Sequence, residues 1–453
     1  MIGARKTKKA TAGRQVGVLA AAVLVATALA PLASSAARAA GVPTCQGEPA
    51  TIVGTPRGET LIGTPGPDVI LARGGDDVVR ARGGDDLVCG GGGADVLGGG
   101  GGADRLYGQS EAHRDDRGDT RWEPDLLDGG AGDDLLDVGG DHGLEPISGA
   151  HGILDYRAAG ASVTVDLAAG TATGQGEDTI VSPPPDSECD CYGIAVYGSA
   201  HDDVLLGGEA NDYLAGFAGD DQIDGRGGDD LLFGEVYEAR ASLLPSVRTP
   251  RPGPADADTL VGGAGDDRLR AHTGRDVLRG DDGADDLEYL DFRGVAELYG
   301  GSGNDSMSAM VSRRPGSVFD GGVGRNDGAL LGPVRAVGAG GRPAAAQVRM
   351  AAGVMLASGV QWGAVRDIDD LYLGRNIRWD YRGTDGPDKL YSGGLWLHAK
   401  MLGGDDVVSG TSGPDRLDAG DGTDRVYGNG GRDRCIDAET VRGCESVSPR
   451  ARR

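Results

Sequence analysis

The sequence predicts an all-β fold, a parallel β-roll wound from nonapeptide repeats, and three observations carry that expectation. Gly90 to Gly98 reads Gly-Gly-Gly-Gly-Ala-Asp-Val-Leu-Gly, and Gly99 to Tyr107 repeats the order with Ala103, Asp104, Arg105, Leu106 and Tyr107. Counting back in nines from Asp95 gives Asp86, Asp77 and Asp68, with a large aliphatic residue two places after each: Leu97, Val88, Val79 and Ile70. The third observation is what the composition fails to explain. A chain of 453 residues with 84 glycines, 4% aromatics and a formal charge of −26 has the make-up of a disordered polymer. Such a polymer has no reason to hold a nine-residue phase, whereas a solenoid does.

The N-terminal segment 1–39 reads as a signal peptide. Arg5, Lys6, Lys8, Lys9 and Arg14 precede an apolar run from Val16 to Ala30, and Ala37-Arg38-Ala39 fits a small-x-small cleavage site. The run is shorter than the roughly twenty residues of a membrane span, so the expectation is a secreted, extracellular protein with no span after cleavage. Removing this segment takes away basic residues only and makes an acidic chain more acidic. That balance disfavours nucleic acid and anionic lipid and favours cations.

Segment 40–62 reads as a cap. Ile52 and Leu61 keep the apolar spacing while Ala50 and Glu59 stand at the aspartate positions, and solenoids need their ends closed. Segment 63–137 is the first roll block, with Asp68, Asp77, Asp86, Asp95 and Asp104. After an insertion at 109–124 come Asp125 and Asp134 over Leu127 and Leu136. Segment 138–197 breaks the phase. Val163, Val165 and Leu167 alternate with polar residues before a turn at Gly170, which predicts a hairpin-like insertion. Pro183 to Pro185 with Cys189 and Cys191 mark a loop in it.

Segment 198–308 holds the second and third blocks, separated by a loop at 235–254. Its aspartates are Asp203, Asp212, Asp221 and Asp230, then Asp258, Asp267, Asp276 and Asp285, and finally Asp305 over Met307. Segment 309–382 is irregular: either more solenoid with degenerate turns or a small packed insertion. The last roll, 383–445, carries Asp388, Asp406, Asp415, Asp424 and Asp433, with Leu397 at an intervening aspartate position. A basic tail, 446–453, follows.

This spacing points to a hard metal ion. Glycine admits positive φ, so the chain turns tightly and leaves its carbonyl oxygens uncovered. Ca²⁺ takes six to eight oxygens at about 2.3–2.6 Å. A turn offering carbonyls and one carboxylate supplies part of such a shell, and a stacked copy supplies the rest. The short stretch after each aspartate makes a strand with one inward side chain. Two nonads then form one coil, with strands on two opposed sheets and an ion site at each edge. Pairs separated by eighteen residues, from Asp68 with Asp86 to Asp415 with Asp433, number ten, a minimum where loops interrupt the stack. Aspartates stacked that closely repel without a counter-ion, so the metal-free chain is expected to be largely unfolded. Asp-Gly pairs also occur in metal-free turns, but an apolar residue held two places after every in-phase aspartate is not a property of turns alone.

The blocks resemble the repeats-in-toxin, or hemolysin-type, calcium-binding repeats of secreted bacterial proteins, most closely in Gly90–Tyr107, Gly216–Phe233 and Gly262–Val277. The resemblance implies a parallel β-roll in which the aspartates named above and the turn carbonyls hold several Ca²⁺ ions. Leu154-Asp-Tyr-Arg, Val163-Thr-Val-Asp-Leu and Asp178-Thr-Ile resemble a stretch found between such repeats, and the terminus from Asp433 to Glu445 resembles the end of repeat-only members.

No His-Glu-x-x-His, Gly-x-Ser-x-Gly or P-loop is present, and His113, His142, His151, His201, His272 and His398 are scattered. No catalytic residue is expected. A polysaccharide-active hydrolase or toxin-like effector remains the alternative, its activity then placed in 309–382 near Trp362, Trp379 and Tyr372. Cys435 and Cys444 fall at successive apolar positions and suit a disulfide across the core. Cys45 with Cys89 would tie cap to roll, and Cys189 and Cys191 either pair or seek other partners. The expectation is a secreted calcium-binding protein with a structural or surface-interaction role. Its partners would be calcium and a cell-surface or extracellular polymer, and the sequence leaves its oligomeric state open.

Overall fold

A computed structural model describes residues 41–109, 113–114, 120–121, 124–139, 152–182, 192–236, 256–290, 294–309, 316–324, 328–331, 345–357, 360–375 and 377–448. Segment 1–39, expected to be a signal peptide, the loop with Cys189 and Cys191, most of the 109–124 and 235–254 insertions, and the last residues of the basic tail lie outside them.

Successive nonads alternate between two sheets. Val69–Gly74 and Leu87–Gly92 belong to the first, Val78–Gly83 and Val96–Gly101 to the second. Within each sheet the register steps by two nonads: Ile70 faces Val88 and Val88 faces Leu106 in one, Val79 faces Leu97 in the other, all parallel. The first ladder runs from Ile52–Val53 to Ser446–Ser448, the second from Thr60–Ile62 to Thr440–Arg442. Inward residues from the two meet in one core that includes Ile70, Leu97, Leu205, Leu232, Leu278 and Leu417. This is the parallel β-roll that the repeat predicts.

Three features go beyond the sequence expectation. Many strands are longer than three residues, because pairing continues into the glycine turns. Arg73 faces Gly91 and Gly74 faces Gly92, so the backbones of stacked turns lie in register as well.

The insertion at 138–197 is more than a hairpin. Gly152–Asp155 and Tyr192–Tyr197 continue the second sheet. Between them Thr164–Asp166, Thr171–Thr173 and Glu177–Val181 form a three-stranded antiparallel meander inside the first sheet. The chain steps ahead and then returns: the meander's last strand pairs back to Leu135–Asp137 and its first pairs onward to Val204–Leu206.

Segment 309–382 uses the same topology. Gly328–Leu331 and Asp370–Leu373 continue the second sheet. Ala345–Arg349, Val354–Ala357 and Val360–Arg366 form a second meander, its last strand on Ser317–Val323 and its first on Arg378–Arg382. Of the two alternatives left open for this segment, the degenerate solenoid is the one observed, carrying a meander within it. Trp379 is buried and its Nε1 donates to the Gly374 carbonyl at 3.0 Å, so it packs the core and offers no binding surface. Tyr372 is exposed and stacks on Tyr391 with ring centroids 4.7 Å apart.

Disulfides hold both ends. Cys45, in the hairpin of Thr44–Cys45 and Glu48–Pro49, bonds Cys89, and Cys435 in the first sheet bonds Cys444 just past a strand of the second.

Candidate metal centre

Every in-phase aspartate named from the sequence is buried, Asp68 the least so at 7% exposure. For a carboxylate that is costly unless partners satisfy it, and the partners are of two kinds. One oxygen is used by the fold. Along the ladders the N–H of one aspartate donates to Oδ1 of the aspartate one coil further on, as from Asp77 to Asp95 and from Asp86 to Asp104 at 2.8 Å each.

Inserted loops do not break this ladder. Asp95 donates to Asp125 and Asp104 to Asp134 across the first insertion. Asp221 donates to Asp258 and Asp230 to Asp267 across the 235–254 loop, and Asp285 to Asp305 across a shorter one. The stack therefore extends past the ten pairs counted at eighteen-residue spacing.

The other oxygen is different. Oδ2 of Asp77, Asp86, Asp95, Asp104, Asp134, Asp221, Asp230, Asp258, Asp267, Asp285, Asp406, Asp424 and Asp433 is buried and accepts no hydrogen bond. Its surroundings show why glycine opens many of these turns, although Ala72, Ala81, Met401 and Ala419 hold that place before Asp77, Asp86, Asp406 and Asp424. A Cβ on Gly99 would run into Asp104 Oδ2 and stand 2.6 Å from the Gly129 carbonyl oxygen of the next coil. On Gly225 it would meet Asp230 Oδ2 and the Gly262 carbonyl oxygen at 2.7 Å. The space that a methyl group would fill is thus lined by a carboxylate oxygen of one turn and a carbonyl oxygen of the next. Among the described residues no three His, Cys, Asp or Glu side chains converge. A thiolate- or imidazole-seeking ion has no shell here. An all-oxygen set of main-chain carbonyls and single carboxylates fits calcium.

Burial pushes these carboxyl groups up, and neighbouring carboxylates add to the rise: Asp95 to about 7, Asp221 to about 8, Asp230 and Asp258 to about 9. The hydrogen bond from the preceding coil acts in the opposite direction and does not cancel it. An ion held by the same oxygens supplies the positive charge these sites lack.

Some members of the ladders are not signalled by the repeat. Asp178, in the first meander, accepts from Asp134 N–H at 3.2 Å, and the Tyr156 hydroxyl donates to its other oxygen at 3.3 Å. Glu439 and Glu445 end the last two ladders, accepting from Asp424 and Asp433 at 2.6 Å. Spacings of 15 and 12 residues hide them from a nine-residue count. A second, solvent-facing set of bonds uses the residue before several of the buried aspartates, with Asp76 accepting from Ala94 and Asp85 from Ala103. Conversely Leu397 and Trp379 stand one above the other at aspartate positions and are buried, so that part of the edge is apolar.

Roll, stacked turns and oxygen-lined spaces define a calcium-binding repeat protein. The comparison with known families agrees: residues 53–88, 83–111, 124–144, 197–232, 255–287, 297–309 and 402–435 match the RTX calcium-binding nonapeptide repeat. The chain thus carries RTX, or hemolysin-type, repeats, and such repeats bind multiple Ca²⁺ ions. No curated protein matches it significantly.

Proposed function

We propose that the protein is secreted and folds on Ca²⁺ outside the cell, where it serves a structural or surface-interaction role. The observation that carries this reading is the row of buried aspartate Oδ2 atoms without a hydrogen bond, which at Asp95, Asp104, Asp230, Asp267, Asp285 and Asp433 lie beside a carbonyl of the next coil. In this reading those aspartates and the turn carbonyls are the ligands, and calcium supplies much of the folding free energy that a core of one aliphatic side chain per nonad does not. Extracellular modules bind calcium at about 10⁻⁴–10⁻³ M. Such a chain stays open at cytosolic calcium and closes after export.

The test is far-UV circular dichroism of the chain without its first 39 residues, titrated with calcium from a chelated start, with calorimetry counting ions. A cooperative gain of β signal near millimolar calcium, with several ions bound per chain, is expected. A spectrum already folded in chelator and unmoved by calcium would refute the coupling.

A further inference from the structure

Most of the described turns fall into two classes, ordered along the chain; the turn of Asp276 belongs to neither, with positive φ at Gly274 but not at His272, whose N–H donates to Glu235. In the open class the second and fourth residues have positive φ, as at Gly91 (110°) and Gly93 (125°) or Arg226 (72°) and Gly228 (103°). The sixth-position aspartates of these two turns, Asp95 and Asp230, keep an Oδ2 with no hydrogen bond.

In the other class the second residue's N–H points inward and donates to the carboxylate of the sixth. Thr64 donates to Asp68 at 2.6 Å, Ser199 to Asp203 at 2.5 Å and Gly208 to Asp212 at 2.7 Å. Thr384 donates to Asp388 at 2.7 Å and Thr411 to Asp415 at 2.5 Å, while Thr55 does the same to Glu59. The Ser199 and Thr411 hydroxyls also donate to Oδ1 of their aspartates at 2.9 Å. None of these second residues, nor the fourth residue of any of these turns, has a positive φ.

Position in the ladder separates the classes too. Each capped carboxylate lies one coil before an open one: Glu59 before Asp77, Asp68 before Asp86, Asp203 before Asp221 and Asp212 before Asp230. Asp388 lies before Asp406 and Asp415 before Asp433. Each of these ladders opens with a turn of the capped class, at the N-terminal end of the chain and again after each meander.

We propose that these capped turns hold no calcium. A main-chain N–H stands at the oxygen that an ion would take, and each such turn is the metal-independent base on which its calcium-bound ladder is built. The family's sixth-position aspartate is thus two kinds of residue in this chain, told apart by whether Thr or Ser holds the second position or a residue other than glycine the fourth. The proposal rests on calcium filling the open turns, and the experiment separates the two claims.

Ions bound per full chain are counted by calorimetry, with circular dichroism at saturating calcium as the check on folding. The combined variant Asp221→Asn, Asp406→Asn and Asp433→Asn tests the open sites and is expected to lose three ions. Asp203→Asn, Asp388→Asn and Asp415→Asn together are expected to lose none, and any drop relative to the parent overturns the proposal. Should that triple variant fail to fold, Thr384→Gly and Thr411→Gly decide the matter. Each restores glycine at the second position of a turn that already has it at the fourth, and each is expected to add one ion. An unchanged count would overturn the cap as what excludes the metal.

Discussion

At Gly99 a single methyl group tests what the first residue of a turn contributes. Its Cβ would enter the space between Asp104 Oδ2 and the Gly129 carbonyl, whereas a Cβ on Gly66, the fourth and not the first residue of its turn, would meet nothing within 4 Å. Gly99→Ala is therefore expected to bind one ion fewer than the parent and to need more calcium to fold, while Gly66→Ala leaves both unchanged. Equal ion counts for the two variants would mean that the glycine serves the turn and not the metal. Freedom of φ alone does not explain the repeat's glycines, because Arg73, Arg82, Phe217 and Leu402 also take positive φ at second positions. What glycine adds at Gly99 is room, since Gly99 has no positive φ and yet tolerates no Cβ, whereas the turns of Asp77, Asp86, Asp406 and Asp424 accommodate Ala or Met at the same position. The nine-residue count marks which aspartates are buried. It does not separate the capped from the open, because that distinction lies in the direction of one N–H per turn.

Among the elements, the regular coils were legible and the two meanders only partly so. A coil is declared by local signals, glycine at the turn and one aliphatic inside, and these recur wherever the register does. The first meander shows its opening strands, since Val163 and Val165 alternate with polar residues before Gly170. Its third strand, Glu177–Val181, pairs back to Leu135–Asp137 more than forty residues earlier, a relation that no local pattern encodes. In 309–382 the inward positions hold Phe319, Val365 and Tyr381 at irregular spacing with few glycine turns, so the coil period is lost although the sheets continue. The Cys45–Cys89 bond acts at this scale too. It ties the N-terminal hairpin to a strand of the first sheet across a separation of 44 residues. Loop closure of that kind typically contributes about 2–4 kcal/mol. Cys45→Ser with Cys89→Ser, melted in saturating calcium, is expected to lower Tm by several degrees and leave the ion count alone. A lost ion would show that the hairpin shapes the first turns as well as anchoring them.

For the whole molecule, the number of buried carboxylates makes the proton a competitor of calcium. The ordinary aspartate value is 3.8, and burial raises Asp95, Asp267, Asp285 and Asp406 to about 7, with Asp221 at about 8 and Asp230 and Asp258 at about 9. The folded chain without metal therefore holds more protons than the unfolded chain between about pH 4 and pH 9. By linkage its stability is greatest below the unfolded value and is lost as pH rises through 7 to 9. Each proton neutralises a carboxylate whose like-charged neighbours stand one coil above and below, which is part of what calcium does at neutral pH. In chelator, the β signal is thus expected to grow as pH falls from 8 to 5.5. With calcium present the dependence inverts, because protons and ions compete for the same oxygens, and the calcium midpoint should rise over the same interval. Circular dichroism at fixed low salt, read with and without chelator at both pH values, measures the two slopes together. A chelated chain whose β signal is the same at pH 5.5 and pH 8 would show that charge repulsion along the ladders is not what keeps the metal-free roll open.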